Sequence, residues 1–167
     1  QDMNLLASFT TPYSNLAGIA IDQSGTNIYI ACTADNRVLR LDNNLTTLLN
    51  DVPSGGFSPY AISIHPNDTY VYAPNTSGAI TGFNYPDLSS PSIVMSGITN
   101  PITATPDPDG TRLYVGAAAG TDFFVLDSNS LGILATVNSQ GMFPYVTAIN
   151  PAGTQLYITN AASGSLS

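Results

Sequence analysis

The sequence predicts an all-β fold, a β-propeller built of four-stranded antiparallel blades, and three observations carry that prediction. Tyr29, Tyr72, Tyr114 and Tyr157 recur at steps of 43, 42 and 43 residues, and a fixed period of this size marks a repeat architecture. The 167 residues contain no Glu and no Lys, while Asn, Ser, Thr, Gly and Pro are abundant. Strong helix formers are therefore scarce and turn formers plentiful, which disfavours helical repeats of similar length. Around each tyrosine, short runs of alternating apolar and polar residues are separated by turn residues, the pattern of half-buried strands.

Each repeat resolves into four strands, in order. The first is "GIAID", "AISIH", "ITATP" or "VTAIN" in the successive copies, opened further upstream by Leu16, Pro59, Pro101 or Pro144. A tight turn follows, with Gly25, Asp68, Gly110 or Gly153 four places before the tyrosine and Gln23, Pro66, Pro108 or Pro151 six places before it. Such turns demand φ > 0, which Gly and Asp tolerate. The second strand, "NIYIA", "YVYAP", "RLYVG" or "QLYIT", holds the tyrosine at its centre. The third is "RVLRLD", "AITGFN", "DFFVLD" or the short "SLS", and the outer strand is "LTTLLND", "SIVMSG", "GILATV" or the N-terminal "NLLASF". Packing between blades should bury the tyrosines and the first strands around Ile19, Ile62, Ala104 and Ala148. Pro74, lacking an N–H, should end ladder pairing in its strand.

These elements make one domain, residues 1–167, with repeats at about 16–58, 59–100 and 101–143 and a last repeat composed of 144–167 plus 1–15. Aligning Leu6 with Leu134 and Leu166 with Phe123 leaves only the positions of Val125 to Ser128 missing between the end of the chain and its beginning. The last blade is thus expected to be split between the termini. Such a split removes open sheet edges when the ring closes, and offers Asn4 to Phe9 to a neighbouring copy when it does not.

With those residues in view, the chain resembles the YVTN family of β-propeller repeats. Tyr157 to Asn160 read "YITN", Pro108 to Gly110 read "PDG", and Gly120 to Asp127 read "GTDFFVLD". Gln23 in the first turn and "YAPN" at Tyr72 to Asn75 depart from the pattern. The resemblance implies the blade, and an extracellular or cell-surface setting such as a surface layer. Its seven-bladed relatives include lactonases and domains of redox enzymes, so it implies no single activity.

The chemistry-bearing residues are few. Cys32 is alone, which excludes an intrachain disulfide and a cysteine zinc site; it reads as a small buried thiol. His65 is also alone, in a slot filled elsewhere by Asp22, Asp107 and Asn150, which is a turn-forming slot rather than a general base with a partner. Asp107 and Asp109 in "DPDG" read as an Asp-Gly turn, since the later ligands of a calcium loop are absent. "SGGFS" at Ser54 to Ser58 has no phosphate-cradling spacing. No catalytic, cofactor-binding or metal-ligating residues are assigned, and no cofactor is expected.

Three arginines against eleven aspartates give a net charge of −8, which excludes nucleic acid as a partner. No segment approaches the ~20 apolar residues of a membrane-spanning helix. Charged residues make up 8% of the chain, against about 25% in ordinary soluble domains. A surface of Asn, Ser and Thr, a start at Gln1 rather than Met, and sequons at Asn44, Asn67 and Asn75 point to secretion. The function expected is an extracellular structural or protein-binding propeller, a subunit of a surface layer, matrix or filament that assembles with further copies through its blade edges. The alternative is a domain of a larger propeller enzyme such as a lactonase-like hydrolase. The residues at the mouth of the central channel separate the two: convergent carboxylates with His65 favour the enzyme, and Ser, Thr, Ala and Asn favour the scaffold.

Overall fold

The computed structural model describes residues 7–95 and 97–167. Among them the strands are β1 Leu16–Ile21, β2 Asn27–Cys32, β3 Arg37–Asp42, β4 Leu48–Pro53, β5 Ser63–Ile64, β6 Tyr70–Asn75, β7 Ala79–Asn84, β8 Ser89–Met95, β9 Pro101–Pro106, β10 Arg112–Ala117, β11 Asp122–Asp127, β12 Ile133–Asn138, β13 Pro144–Ile149, β14 Leu156–Asn160 and β15 Ser165–Leu166. They form four antiparallel sheets, each a meander in chain order: β1 to β4, β5 to β8, β9 to β12, and β13 to β15. The sheets are the four blades of a β-propeller. β1, β5, β9 and β13 are the inner strands.

Local chemistry explains each meander. The turn from first to second strand is closed by Asp22, whose Oδ1 accepts the amides of Thr26 (2.8 Å) and Asn27 (3.2 Å). Asp107 does the same for Thr111 and Arg112, and Asn150 for Thr154 and Gln155. The turn from third to fourth strand uses Asp42, which accepts the amides of Thr46 and Thr47, and Asp127, which accepts those of Asn129 and Ser130. Short acceptor side chains thus do at the turns what the ladder does within the strands.

Two expectations are corrected. Pro74 does not end its strand, since β6 runs on to Asn75 with Pro74 opposite Ile80 and Asn75 opposite Ala79. The cost falls on the neighbour instead. The Pro74 carbonyl accepts the Tyr60 amide at 3.2 Å, so the missing N–H lies on that same side, toward the inner strand. β5 is accordingly reduced to two residues, where the other inner strands have six. The second correction concerns burial. Tyr29, Tyr72, Ile62 and Ala104 are buried as expected, whereas Tyr114 is half-buried, Ile19 is 69% and Tyr157 44% exposed, and Ala148 is exposed as well. Ile19 belongs to the first blade and Tyr157 and Ala148 to the fourth, on faces that no blade among the described residues covers.

Of the outer strand expected at Asn4 to Phe9, residues 4–6 lie outside the described residues. Ala7 to Phe9 run without ladder pairing, and Phe9, with Tyr13, packs on the first blade against Cys32, Leu39 and Leu41. The Tyr13 hydroxyl donates to Asp51, whose carboxylate also takes the Arg37 guanidinium at 2.6 Å. The described part of this segment therefore buttresses the first blade.

Candidate functional site

The first three blades meet through two contacts of one pattern. In the first contact Tyr29, Ala31 and Val38 of blade 1 pack on Ile62, Val71, Ala73 and Phe83 of blade 2. In the second, Tyr72 and Ile80 of blade 2 pack on Ala104, Leu113, Val115 and Leu126 of blade 3. In both contacts the tyrosine ends in a polar anchor: the Tyr29 hydroxyl donates to the Pro86 carbonyl (3.0 Å) and the Tyr72 hydroxyl to the Ser128 carbonyl (2.9 Å), both in the turn after the next blade's third strand. Burial pushes both phenols above their ordinary pKa. A buried hydroxyl with its partner satisfied contributes rather than costs.

Along the axis the inner strands are tied by hydroxyls. Ser63 Oγ donates to the Ala104 carbonyl (2.5 Å), Thr103 Oγ1 to that of Tyr145 (3.1 Å), and Thr105 Oγ1 to that of Thr147 (3.2 Å). Tyr60 and Tyr145, two blades apart, meet edge to face with ring centroids 6.0 Å apart. Hydrogen bonding of its hydroxyl to Tyr60, with some burial, pushes the Tyr145 phenol up to about 12. These side chains can bridge and stack; they supply no acid–base pair near neutral pH.

His65 is buried and occupied. Its Nδ1 accepts the Asn67 amide (3.1 Å) and its Nε2 faces the Gly110 carbonyl (2.9 Å), so the neutral tautomer protonated at Nε2 satisfies both. The first bond is the turn role that its slot predicts, and the second ties blade 2 to blade 3. Gly110 has φ +76°, and a Cβ there would fall 2.5 Å from His65 Cε1, so the glycine makes room for the ring. Cys32 is fully buried, and burial raises its thiol to about 11. Asp107 and Asp109 both accept from Thr111, which is the turn reading of "DPDG". Among the described residues no three of His, Cys, Asp and Glu come together to hold a metal, and no helix is long and apolar enough to cross a membrane. Of the three sequons, Asn44 and Asn67 are exposed while Asn75 is fully buried.

One device escapes sequence reading. Asn75 Nδ2 donates to the Ser54 carbonyl (3.2 Å), joining the end of β6 to the connection that arrives from blade 1. At the matching place Ser139 Oγ donates to Asn160 Oδ1 (2.7 Å). Two residues after each serine stands a glycine, Gly56 or Gly141, whose hypothetical Cβ would fall 2.7 Å from Asn75 Cβ or 2.5 Å from Asn160 Cγ. The final Asn of the YVTN-like stretch is thus a clamp on the loop between blades. A recurring Ser-x-Gly some 20 residues before that Asn is the signal that could have found it.

The outer faces of the first and fourth described blades also leave apolar side chains exposed. On blade 1, Ile19, Ile21 and Ile28 line a shallow hollow of about 270 Å³. On blade 4, Val146, Tyr157 and Leu166 are 45%, 44% and 67% exposed.

No protein-family model matches the chain, and no curated protein matches it. Solved structures do. Kuenenia stuttgartiensis hydrazine synthase superposes with a TM-score of 0.74 at 18% identity, over 90% of this chain and 44% of that one. A candidate 6-phosphogluconolactonase from Bacteroides uniformis gives 0.69 at 18% identity, over 96% of this chain and 57% of that one. The β-propeller domain of Myceliophteria thermophila Cps50 (Swd1) gives 0.74 at 12% identity, over 91% and 50%. The chain has a β-propeller fold, and it spans about half the length of the solved propellers that it resembles.

Proposed function

We propose that the chain is a YVTN-type propeller subunit acting outside the cell as a structural or protein-binding scaffold, through its blade faces rather than through chemistry at its axis. The observation that carries this reading is the contrast between the two regions. Ser63, Thr103 and Thr105 on the inner strands are bonded to backbone, Thr147 pairs with Thr105, and His65 is tied to two backbone partners. Apolar side chains stand exposed instead on the rim and on the connections between blades: Ile133 and Leu134 on β12, and Phe57, Met142 and Phe143. Exposed apolar patches mark association surfaces. The polar, weakly charged surface and the exposed sequons at Asn44 and Asn67 support an exported protein.

Labelling of intact source cells with an impermeant carboxyl-reactive reagent, and immunogold staining with an antibody to the chain, test the location. Both should mark the cell exterior, and staining confined to the cytoplasm would sink the reading. The hydrolase alternative is tested with a panel of sugar lactones. Turnover above the buffer rate that disappears in His65→Asn, with the melting temperature held, would replace the scaffold by an enzyme.

A further inference from the structure

The connections that enter blades 2 and 4 are built alike, and each carries an apolar side chain outward. They read "GGFSPY" at Gly55 to Tyr60 and "QGMFPY" at Gln140 to Tyr145. In each the Asn clamp and its glycine hold the loop down. A serine from the neighbouring turn then caps it: Ser77 Oγ accepts the Phe57 amide and Ser163 Oγ the Met142 amide, both at 3.0 Å. The residues fixed in this way face solvent, with Phe57 68% and Met142 51% exposed.

The connection into blade 3 shows that the fold does not require this. It reads "GITNPI" at Gly97 to Ile102, with Ile98 in the place of Gly56 and Gly141, and Ala117 in the place of Asn75 and Asn160. Ile98 and Ala117 are buried in one core cluster, and the outward place falls to Thr99, which is exposed. A threonine therefore serves where the clamped loops present a phenylalanine and a methionine. Phe57 stands between blades 1 and 2, each complete in four strands, and it is the more exposed of the pair. Its exposure belongs to the loop. Tyr60 and Tyr145 meet edge to face between the two loops, and Phe143 is exposed beside them. Together these five side chains form an apolar ridge, and rigidly held apolar anchors are what interfaces are built on.

Charge decides what can lie on the ridge. In these meanders the turns from first to second strand and from third to fourth open on one face of the propeller, and the remaining turns and connections on the other. The first face holds Asp22, Asp68, Asp107 and Asp109 in one set of turns. Asp42, Asp87 and Asp127 stand in the other set, with Arg40 and Arg112 on the strands nearby. The ridge face has, among the described residues, Asp35, Asp122 and the ion pair of Asp51 with Arg37. Two copies of a chain with net charge −8 repel each other through their acidic faces, and laying an acidic face on the ridge would strip water from carboxylates without pairing them. Ridge on ridge buries the apolar side chains and keeps the acidic faces farthest apart.

Deepening the scaffold reading, on which this rests, we propose that a second copy of this chain covers the ridge, face to face about a two-fold axis. The ridges run antiparallel, so that Phe57 of each copy meets Met142 of the other in a sulfur–aromatic contact, with the tyrosines at the centre. Such a contact uses the same patch on both copies and closes as a dimer instead of growing into a filament.

The test is the mass of the full protein in solution against the mass of its chain. Wild type at micromolar concentration should sediment at twice the chain mass, and a monomer would overturn the proposal. Phe57→Thr and Met142→Thr borrow the residue of the third connection, so the melting temperature of the dissociated chain should hold. Each should raise the dimer Kd about tenfold or more; an unchanged Kd in the double variant would overturn the ridge as the contact. Sodium chloride at about 1 M should leave the Kd unchanged or lower it, because it screens like charges, and dissociation by salt would overturn it. A further measurement needs no variant. Dilute peroxide converts an accessible methionine to its sulfoxide, so Met142 should oxidise more slowly as the protein is concentrated through its Kd, and a rate independent of concentration would overturn the proposal. A monomer that still stains the cell exterior would sink the dimer and leave the scaffold standing; lactone hydrolysis dependent on His65 would sink the scaffold, whether or not the chain pairs.

Discussion

Asp22 shows how one side chain serves turn, blade and interface together. Burial by itself would push its carboxyl up, but the Asn27 side chain and amide, the Tyr85 hydroxyl (2.9 Å) from the next blade and the Thr26 amide outweigh that and hold it well below its ordinary 3.8. A carboxyl depressed in the folded state contributes stability that is present above its unfolded pKa and is lost as pH falls below it. Thermal melts from pH 6 downward should therefore show an acid limb beginning near pH 4. Asp22→Asn, which keeps the acceptor as Asn150 does, should flatten that limb while lowering stability at pH 6. Cys32 should resist a disulfide reagent at pH 8 in the native protein and react fully in denaturant, as a buried thiol raised to about 11 requires. Gly110→Ala should cost about 1–2 kcal/mol through its positive φ, plus a steric part against His65. Adding His65→Ala should recover the steric part alone, read from denaturant midpoints. These slots were legible as turn positions because the neighbours that satisfy them lie within five residues. The clamp of Asn75 and Asn160 was not, because its serine and glycine partners lie about 20 residues away on another blade's exit.

At the scale of the strand, third strands were read to the residue, since Arg37–Asp42, Ala79–Asn84 and Asp122–Asp127 are short, mainly apolar runs that follow a polar connection and end in an Asp or Asn. Outer strands were read less well: β4 begins at Leu48 and β8 at Ser89, shifted from the apolar runs. An outer strand has one ladder neighbour, so its limits follow the turn before it rather than its own hydrophobicity. Pro74 made the opposite lesson, an element whose defect appears in its partner. Replacing it with Thr, the residue at the matching place in β14, supplies an N–H toward Tyr60. Slower amide exchange around Tyr60 and Ile62 is expected in Pro74→Thr; unchanged rates would mean that something other than the missing donor shortens β5.

For the molecule as a whole, repeat arithmetic fixes four blades but says nothing of which faces are covered, because Ile19 and Ile62 look alike in a sequence and differ only in having a neighbour. Stability in such arrays is close to a sum of units and nearest-neighbour contacts. Blades 2 and 3 have two neighbours each among the described residues, so hydrogen exchange should be slowest in β6, β7 and β10 and fastest in β12 to β15, where β12 is exposed throughout. The directional bond from Tyr29 and Tyr72 to the next blade's turn has a further result. Each of these blades is oriented by the backbone of its successor, so a whole repeat gained or lost by unequal crossing-over between similar stretches leaves the remaining contacts in the same sense, and repeat number can drift without a new kind of contact having to be invented.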